Sequence, residues 1–191
     1  MIAGLVLAAG ESSRMGSDKA LLKYRGRTFL ENIIDELKDA GVEHCAVVLG
    51  HHAEEIQRTL SLPDTKIVIN REYRQGQTSS LQAGLRALMS GDLEAIVLCL
   101  VDHPSVSAAV IRKLLECSGK SAAPVAIPTF QGQRGHPVVV GRALFQELLD
   151  LAPEQGANTV VRKYRDATCF VETDEPGILL DVDDPETYRR L

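Results

Sequence analysis

Near its start the chain places two cations just beyond a run of residues with almost no side chain. The apolar stretch Ile2-Ala3-Gly4-Leu5-Val6-Leu7 breaks into Ala8-Ala9-Gly10-Glu11-Ser12-Ser13-Arg14-Met15-Gly16-Ser17-Asp18-Lys19. Small residues let a ligand approach the main chain, and successive N–H groups of such a bend can point at an anion. Arg14 offers a planar fork to two phosphate oxygens and Lys19 a compact charge to another, so the stretch suits a triphosphate. Two other phosphate loops are excluded. Gly10 and Gly16 are six apart with Ser17 after them, which is not G-x-x-x-x-G-K-[ST], and no G-x-G-x-x-G occurs.

Hard oxygen ligands appear in two further places. Asp102 ends the apolar run Ala95 to Val101, with Pro104 turning the chain away behind it, where a carboxylate could seat Mg²⁺ against nucleotide phosphates or cap the turn. Asp181, Asp183 and Asp184 lie in Leu180-Asp181-Val182-Asp183-Asp184-Pro185-Glu186. In extended chain Asp181 and Asp183 face the same way, whereas Asp184 before Pro185 fits a helix cap. Gly76-Gln77-Thr78-Ser79-Ser80 combines backbone access with hydroxyls, and Ser79 or Ser80 would serve as an N-cap. Adjacent His51 and His52 are poorly placed to share one metal and are assigned no role.

Leu7-Ala8-Ala9-Gly10-Glu11-Ser12-Ser13-Arg14-Met15-Gly16 with Lys19 resembles the L-A-A-G-x-S-x-R-M-G-x-x-K signature of nucleotidyltransferases that activate phosphorylated compounds, in particular the molybdenum cofactor cytidylyltransferases. Leu100-Val101-Asp102-His103-Pro104 resembles the family's L-V-D-Q-P, with His103 in place of the usual Gln. Leu180 to Glu186 is similar to its D-I-D-T-P-E-D, which implies Asp102 and Asp183 as metal ligands with Asp181 as a less certain neighbour. Gly76 to Leu81 resembles the G-x-x-x-S-L element and implies Gly76 and Ser80 at the nucleotide. Gly132-Gln133-Arg134-Gly135-His136-Pro137 resembles G-x-x-G-H-P, expected near the acceptor, with His136 either a donor to phosphate or pterin or a turn residue.

The resemblance implies transfer of CMP from CTP to the phosphate of a molybdopterin-type cofactor, with Mg²⁺, and Leu7, Ala8, Ala9, Gly10, Arg14 and Lys19 around the nucleotide. Ala9 carries the CTP preference, since guanylyl-transferring relatives usually show L-A-G-G. Arg14, Lys19 and Asp102 are the expected catalytic residues. A phosphate monoester, whose second pKa is about 6, is already largely dianionic and needs no general base. This is consistent with the lack of any Ser-His-Asp or Cys-His arrangement. The alternatives are activation of a sugar phosphate or phospho-alcohol, or non-catalytic carriage of nucleotide or cofactor to an apo molybdenum hydroxylase.

These residues need a scaffold, and the sequence supplies one. Over 191 residues strands and helices alternate: a strand at Ile2–Leu7, a capping box Thr28-x-x-Glu31 opening a helix that Gly41 ends, strands at Cys45–Leu49 and Lys66–Asn70, and a helix at Ala53–Leu60 between them. A helix carrying Leu81, Leu85, Leu88 and Met89 on one side precedes the strand Ala95–Val101, and Ser107 caps the next helix. Strands follow at Val125–Ile127, ended by Pro128, and at Pro137–Val140. Helices are expected over Arg142 to about Asp150 and within Gly156–Arg165, then strands at Thr168–Glu172 and Gly177–Leu180 before a terminal helix. The pattern implies one domain over 1–191, a three-layer α/β/α sandwich of Rossmann-like nucleotidyltransferase type with a mostly parallel sheet. Its ligands would sit beyond the carboxyl ends of the strands.

Composition sets the partners. A net charge of −5 disfavours nucleic acid and anionic membranes, so an anionic substrate needs a local cationic pocket. Cys45, Cys99, Cys117 and Cys169 are scattered and are expected as free thiols of a cytoplasmic protein. Met1 leads into the first strand without a basic leader, and the apolar run is too short for a signal peptide or a membrane span.

Overall fold

The structure is a computed structural model that describes residues 1–89 and 91–191. β1 (Ile2–Ala8) is apolar on both faces, so it belongs in the sheet interior. Leu5 and Leu7 enter one buried layer, and Val6 and Ala8 enter the other. The loop after it reaches a short 3-10 turn at Lys19–Leu21, then a small hairpin, β2 (Lys23–Tyr24) and β3 (Arg27–Thr28). The residues between these strands, Arg25 and Gly26, both have positive φ, as the twist of a two-residue hairpin loop requires.

α1 (Phe29–Asp39) starts at the expected capping box: the Thr28 hydroxyl accepts from the Glu31 N–H, and the Glu31 carboxylate accepts from the Thr28 N–H. Its far end closes on Gly41 at φ +86°, with the Val42 N–H donating to Leu37 O. β4 (His44–Leu49), α2 (Ala53–Thr59), β5 (Thr65–Ile69), α3 (Gln77–Leu88) and β6 (Ala95–Leu100) complete the first half. α4 (Ala108–Ser121), β7 (Val125–Phe130), β8 (Gln133–Arg134), β9 (Val138–Gly141), α5 (Phe145–Leu149), α6 (Asn158–Lys163), β10 (Thr168–Glu172) and α7 (Pro185–Arg189) complete the second.

The main sheet runs β10-β7-β9-β6-β1-β4-β5, with β8 paired to β7. β1 with β4 and β6, β4 with β5 and β7 with β10 are parallel; β9 is antiparallel to both its neighbours. One apolar layer packs α1 and α4 on the sheet through Leu30, Ile33 and Ile111; the opposite layer packs α3 and α5 through Leu81, Leu85 and Leu148. α3 sits very close to the sheet. A Cβ on its Gly84 would lie 2.4 Å from Leu5 Cδ1 and 2.7 Å from Val48 Cγ2.

Most of the expected strands and helices are present, and several details differ. β7 continues through Pro128 to Phe130: its ladder with β10 runs on through Val171↔Pro128 after the ladder with β9 has stopped at Ala126, and Pro128 O accepts from the Gly135 N–H. Gly177–Leu180 is no strand: Pro176 opens a 3-10 turn over Pro176–Leu179 that buries Ile178. Met89 is exposed, since α3 ends one residue before it. Cys117 and Cys169, expected as free thiols, are paired where α4 crosses β10, with Cα atoms 6.3 Å apart; Cys45 and Cys99 are free and buried. No helix among the described residues is long and apolar enough to cross a membrane.

Candidate active site

At the carboxyl ends of β1 and β6 a cavity of about 300 Å³ opens. Its walls contain Leu7, Ala8, Ala9, Gly10, Arg14, Lys19, Gly76, Ser80, Asp102 and Asp183, all picked out from sequence. The bend at Gly10 leaves space: a Cβ built there meets nothing within 4 Å, so neither packing nor backbone conformation demands glycine in the free chain. The loop beyond is folded by its own serine. Ser12, at φ 49°, accepts the Met15 N–H on its carbonyl and the Lys19 N–H on its hydroxyl.

Lys19 is almost buried, and its Nζ donates to Asp183 Oδ1 at 2.5 Å and lies 3.6 Å from Asp102 Oδ2. Arg14, on the exposed rim, donates to the other oxygen of Asp183 at 2.7 Å. The Lys19 ammonium, with Arg14 beside it, holds the Asp183 carboxyl below the usual carboxylate range. The main chain sets this geometry, because the Val182 N–H donates to Asp102 O at 2.8 Å and pins the Asp181–Asp183 segment to the turn after β6. Asp184 stands apart as the N-cap of α7, accepting from the Thr187 N–H.

The carboxylate facing Asp102 is that of Asp181. One ligand atom each from Asp102, His103 and Asp181 lie within 4.8 Å of one another, whereas Asp183 is engaged by the two cations. Burial first, then the charges of Asp102 and Asp183, raise the Asp181 carboxyl above the usual range. Asp102 Oδ1 is buried and has no hydrogen-bond partner. Two cations therefore face three carboxylates, one of them with an orphaned oxygen. That excess of negative charge with an unfilled acceptor suits a divalent cation.

His136 does not line this cavity. It borders an adjoining one of about 430 Å³, floored by Leu98, Leu100, Val138 and Val140 and rimmed by Arg134, Asn158 and Arg162. The two cavities share Gln77 and Leu100. The His136 ring lies 4.6 Å from that of His103, and burial pushes its pKa down to about 4, so it is neutral at physiological pH. Burial also lowers the pKa of His103. Ser80 is buried and accepts from the Asn70 side chain, and Ser79 lies in the first turn of α3; the residue before that helix is Gly76, at φ +103°, so neither serine is the cap.

Two contributors were not singled out in the sequence. Asp18 borders the cavity and its carboxylate lies 2.7 Å from His52 Nδ1, tying the loop to the start of α2. Tyr73 forms a wall and contacts His51 Nδ1 at 3.2 Å. The two histidines thus serve separate partners, as their adjacency implies. Asp18 sits inside the cationic motif, but nothing in the sequence marks the partner 34 residues away.

The MobA-like NTP transferase domain matches residues 4–168. A nicotine blue oxidoreductase of Paenarthrobacter nicotinovorans is 29% identical, covering 100% of this chain and 96% of that protein. A probable molybdenum cofactor guanylyltransferase of Opitutus terrae is 36% identical over 108 residues, 56% of this chain and 51% of that protein. Among solved structures, Rv0371c from Mycobacterium tuberculosis H37Rv superimposes with a TM-score of 0.88 at 32% identity, covering 99% of this chain and 95% of that one. Its manganese complex gives a TM-score of 0.84 at 31% identity, covering 100% and 97%.

Proposed function

The chain belongs to the MobA-like NTP transferase domain family and is a nucleotidyltransferase, and from that premise we propose that it moves CMP from CTP to the phosphate of a molybdopterin-type cofactor, releasing pyrophosphate. The observation that carries this reading is the single cavity in which the Gly10 bend, Arg14 and Lys19 face the carboxylates of Asp102 and Asp183. The adjoining cavity supports a second substrate of matching character, with an apolar floor for a flat ring system and Arg134 and Arg162 for its anionic end.

An acceptor phosphate oxygen forms the new bond to the α-phosphorus as the bond from that phosphorus to the bridging oxygen breaks, and the electron pair leaves on pyrophosphate. The acceptor is already dianionic, so no side chain has to remove a proton. Arg14 and Lys19 are placed to hold the departing pyrophosphate, and the Gly10 amides to position the chain of phosphates. In this reading phosphate draws Arg14 and Lys19 away from Asp183. Asp102, with Asp181 or the released Asp183, would hold a divalent ion, which when bound would supply electrostatic screening of the α-phosphoryl charge. The sequence resemblance implies Mg²⁺, and a related structure is a manganese complex.

Incubation of the protein with a divalent ion, each nucleoside triphosphate and each acceptor, followed by mass analysis, tests this. The expected product is the cytosine dinucleotide of molybdopterin; a sugar or alcohol diphospho-nucleotide would move the protein to the other acceptor class. A second reading, non-catalytic carriage to an apo molybdenum hydroxylase, draws on the relative spanning the whole chain, whose name is that of an oxidoreductase. It would be favoured by tight nucleotide or cofactor binding with no pyrophosphate released.

A further inference from the structure

His103 takes part in the acidic cluster in a way its position behind Asp102 does not require. Asp102 Oδ1 lies 4.0 Å from His103 Nε2, and a carboxylate oxygen of Asp181 completes a group whose members are all within 4.8 Å. Bonds of about 2.0–2.2 Å to nitrogen and oxygen place two ligands on one ion no more than about 4.3 Å apart. The measured Asp102–His103 separation falls inside that limit. Asp102 Oδ1 is buried without a hydrogen-bond partner, an unfavourable state unless something fills it. Lys19 does not fill it, because its ammonium lies on the other oxygen of Asp102, at 3.6 Å.

The imidazole is also held in place. The His103 N–H donates to Leu100 O at 3.0 Å, fixing the main chain at the strand end. The ring of His136 packs against that of His103, with ring centroids 4.6 Å apart, and restricts its rotation. Among the described residues only one other group offers three such ligands, Asp18, His52 and Glu55. There the imidazole already bonds Asp18, and both His52 and Glu55 are more than half exposed.

We infer that His103 is a metal ligand, so that Asp102, His103 and Asp181 form a mixed nitrogen–oxygen centre that selects a first-row transition dication over Mg²⁺. This rests on the reading that Asp102 seats the divalent ion. An oxygen-only site suits Mg²⁺, which keeps several waters and prefers carboxylates and phosphates. A neutral imidazole adds affinity for ions from Mn²⁺ through Zn²⁺ and little for Mg²⁺. His136 acts as a positioning residue through its contact with the His103 ring.

Pulsed EPR of the Mn²⁺-loaded full chain, joined to competition titrations of Co²⁺ and Mg²⁺, tests the assignment on wild type, H103Q and H52Q. The expected result is a ¹⁴N coupling present in wild type and H52Q and absent in H103Q. Co²⁺ affinity should fall at least about tenfold in H103Q, with Mg²⁺ affinity within about twofold of wild type. If H103Q does not fold, the H52Q spectrum decides, since the other imidazole of a candidate cluster is then gone. Mn²⁺ bound without nitrogen coupling in H52Q, or coupling that persists in H103Q, overturns the His103 assignment and leaves an oxygen-only site intact. Failure of wild type to bind any dication overturns both readings.

Discussion

Lys19 Nζ and Asp183 Oδ1 meet at 2.5 Å although 164 residues separate them, and the contact joins the two ends of the chain across the cavity mouth. Arg14 takes the second oxygen of the same carboxylate. Asp183 therefore occupies in the free protein the charges that a triphosphate would take in the complex. Lys19→Ala is expected to lower turnover by about 10²–10³-fold, the usual loss when one preorganised charge-stabilising donor is removed. Asp183 keeps Arg14 in that variant, so stability should change by only about 1 kcal/mol. Steady-state pyrophosphate release and thermal melting of the same preparation check both parts.

Gly10→Ala separates binding from folding. The added methyl meets nothing in the free chain, and its φ is not one reserved for glycine, so melting should shift by no more than about 0.5 kcal/mol. The methyl points into the space a phosphate chain would use, and calorimetric affinity for CTP should fall by about tenfold or more.

Asp102→Asn removes one of the charges that press on Asp181. The expected outcome is loss of nearly all turnover together with unchanged or higher thermal stability, because a buried oxygen with no partner contributes nothing to the free fold. A large drop in melting temperature would mean that Asp102 is a structural cap.

The Asp18–His52 contact gives a pH signature. The carboxylate, at 2.7 Å, raises the His52 pKa above its ordinary value, so the folded chain holds the proton more tightly than the unfolded one. The stabilisation is therefore complete below about pH 6.5 and is lost as pH rises through the folded pKa. NMR titration should place the His52 midpoint above about 6.5 in wild type and return it towards that value in Asp18→Asn. The difference in melting temperature between the two proteins should shrink on going to alkaline pH.

Much of the fold was written in local patterns. The Thr28–Glu31 capping box, the two-faced apolar β1 and the Asp184-Pro185 cap each specify their element within a few residues. The loop after β1 stood out because its residues are contiguous, so type and spacing alone suggest phosphate chemistry. What escaped depends on the sheet order. The pairing of Cys117 with Cys169 exists only because α4 packs on β10, and the Asp18–His52 contact only because β4 lies beside β1. Gly177–Leu180 looked like a strand from its apolar residues, but Pro176 and the i→i+3 bond from Leu180 N–H to Gly177 O wind it into a turn. Asp181 and Asp183 share a face of an extended segment, so only the positions of Lys19 and Arg14 decide which of them accepts the cations.

The most direct test of the account is a crystal structure of the protein with CTP and a divalent ion. The account predicts the triphosphate along the Gly10 bend, within reach of Arg14 and Lys19, and the ion on Asp102. Density for CTP elsewhere, with the Gly10 bend unoccupied and Lys19 still on Asp183, would contradict it.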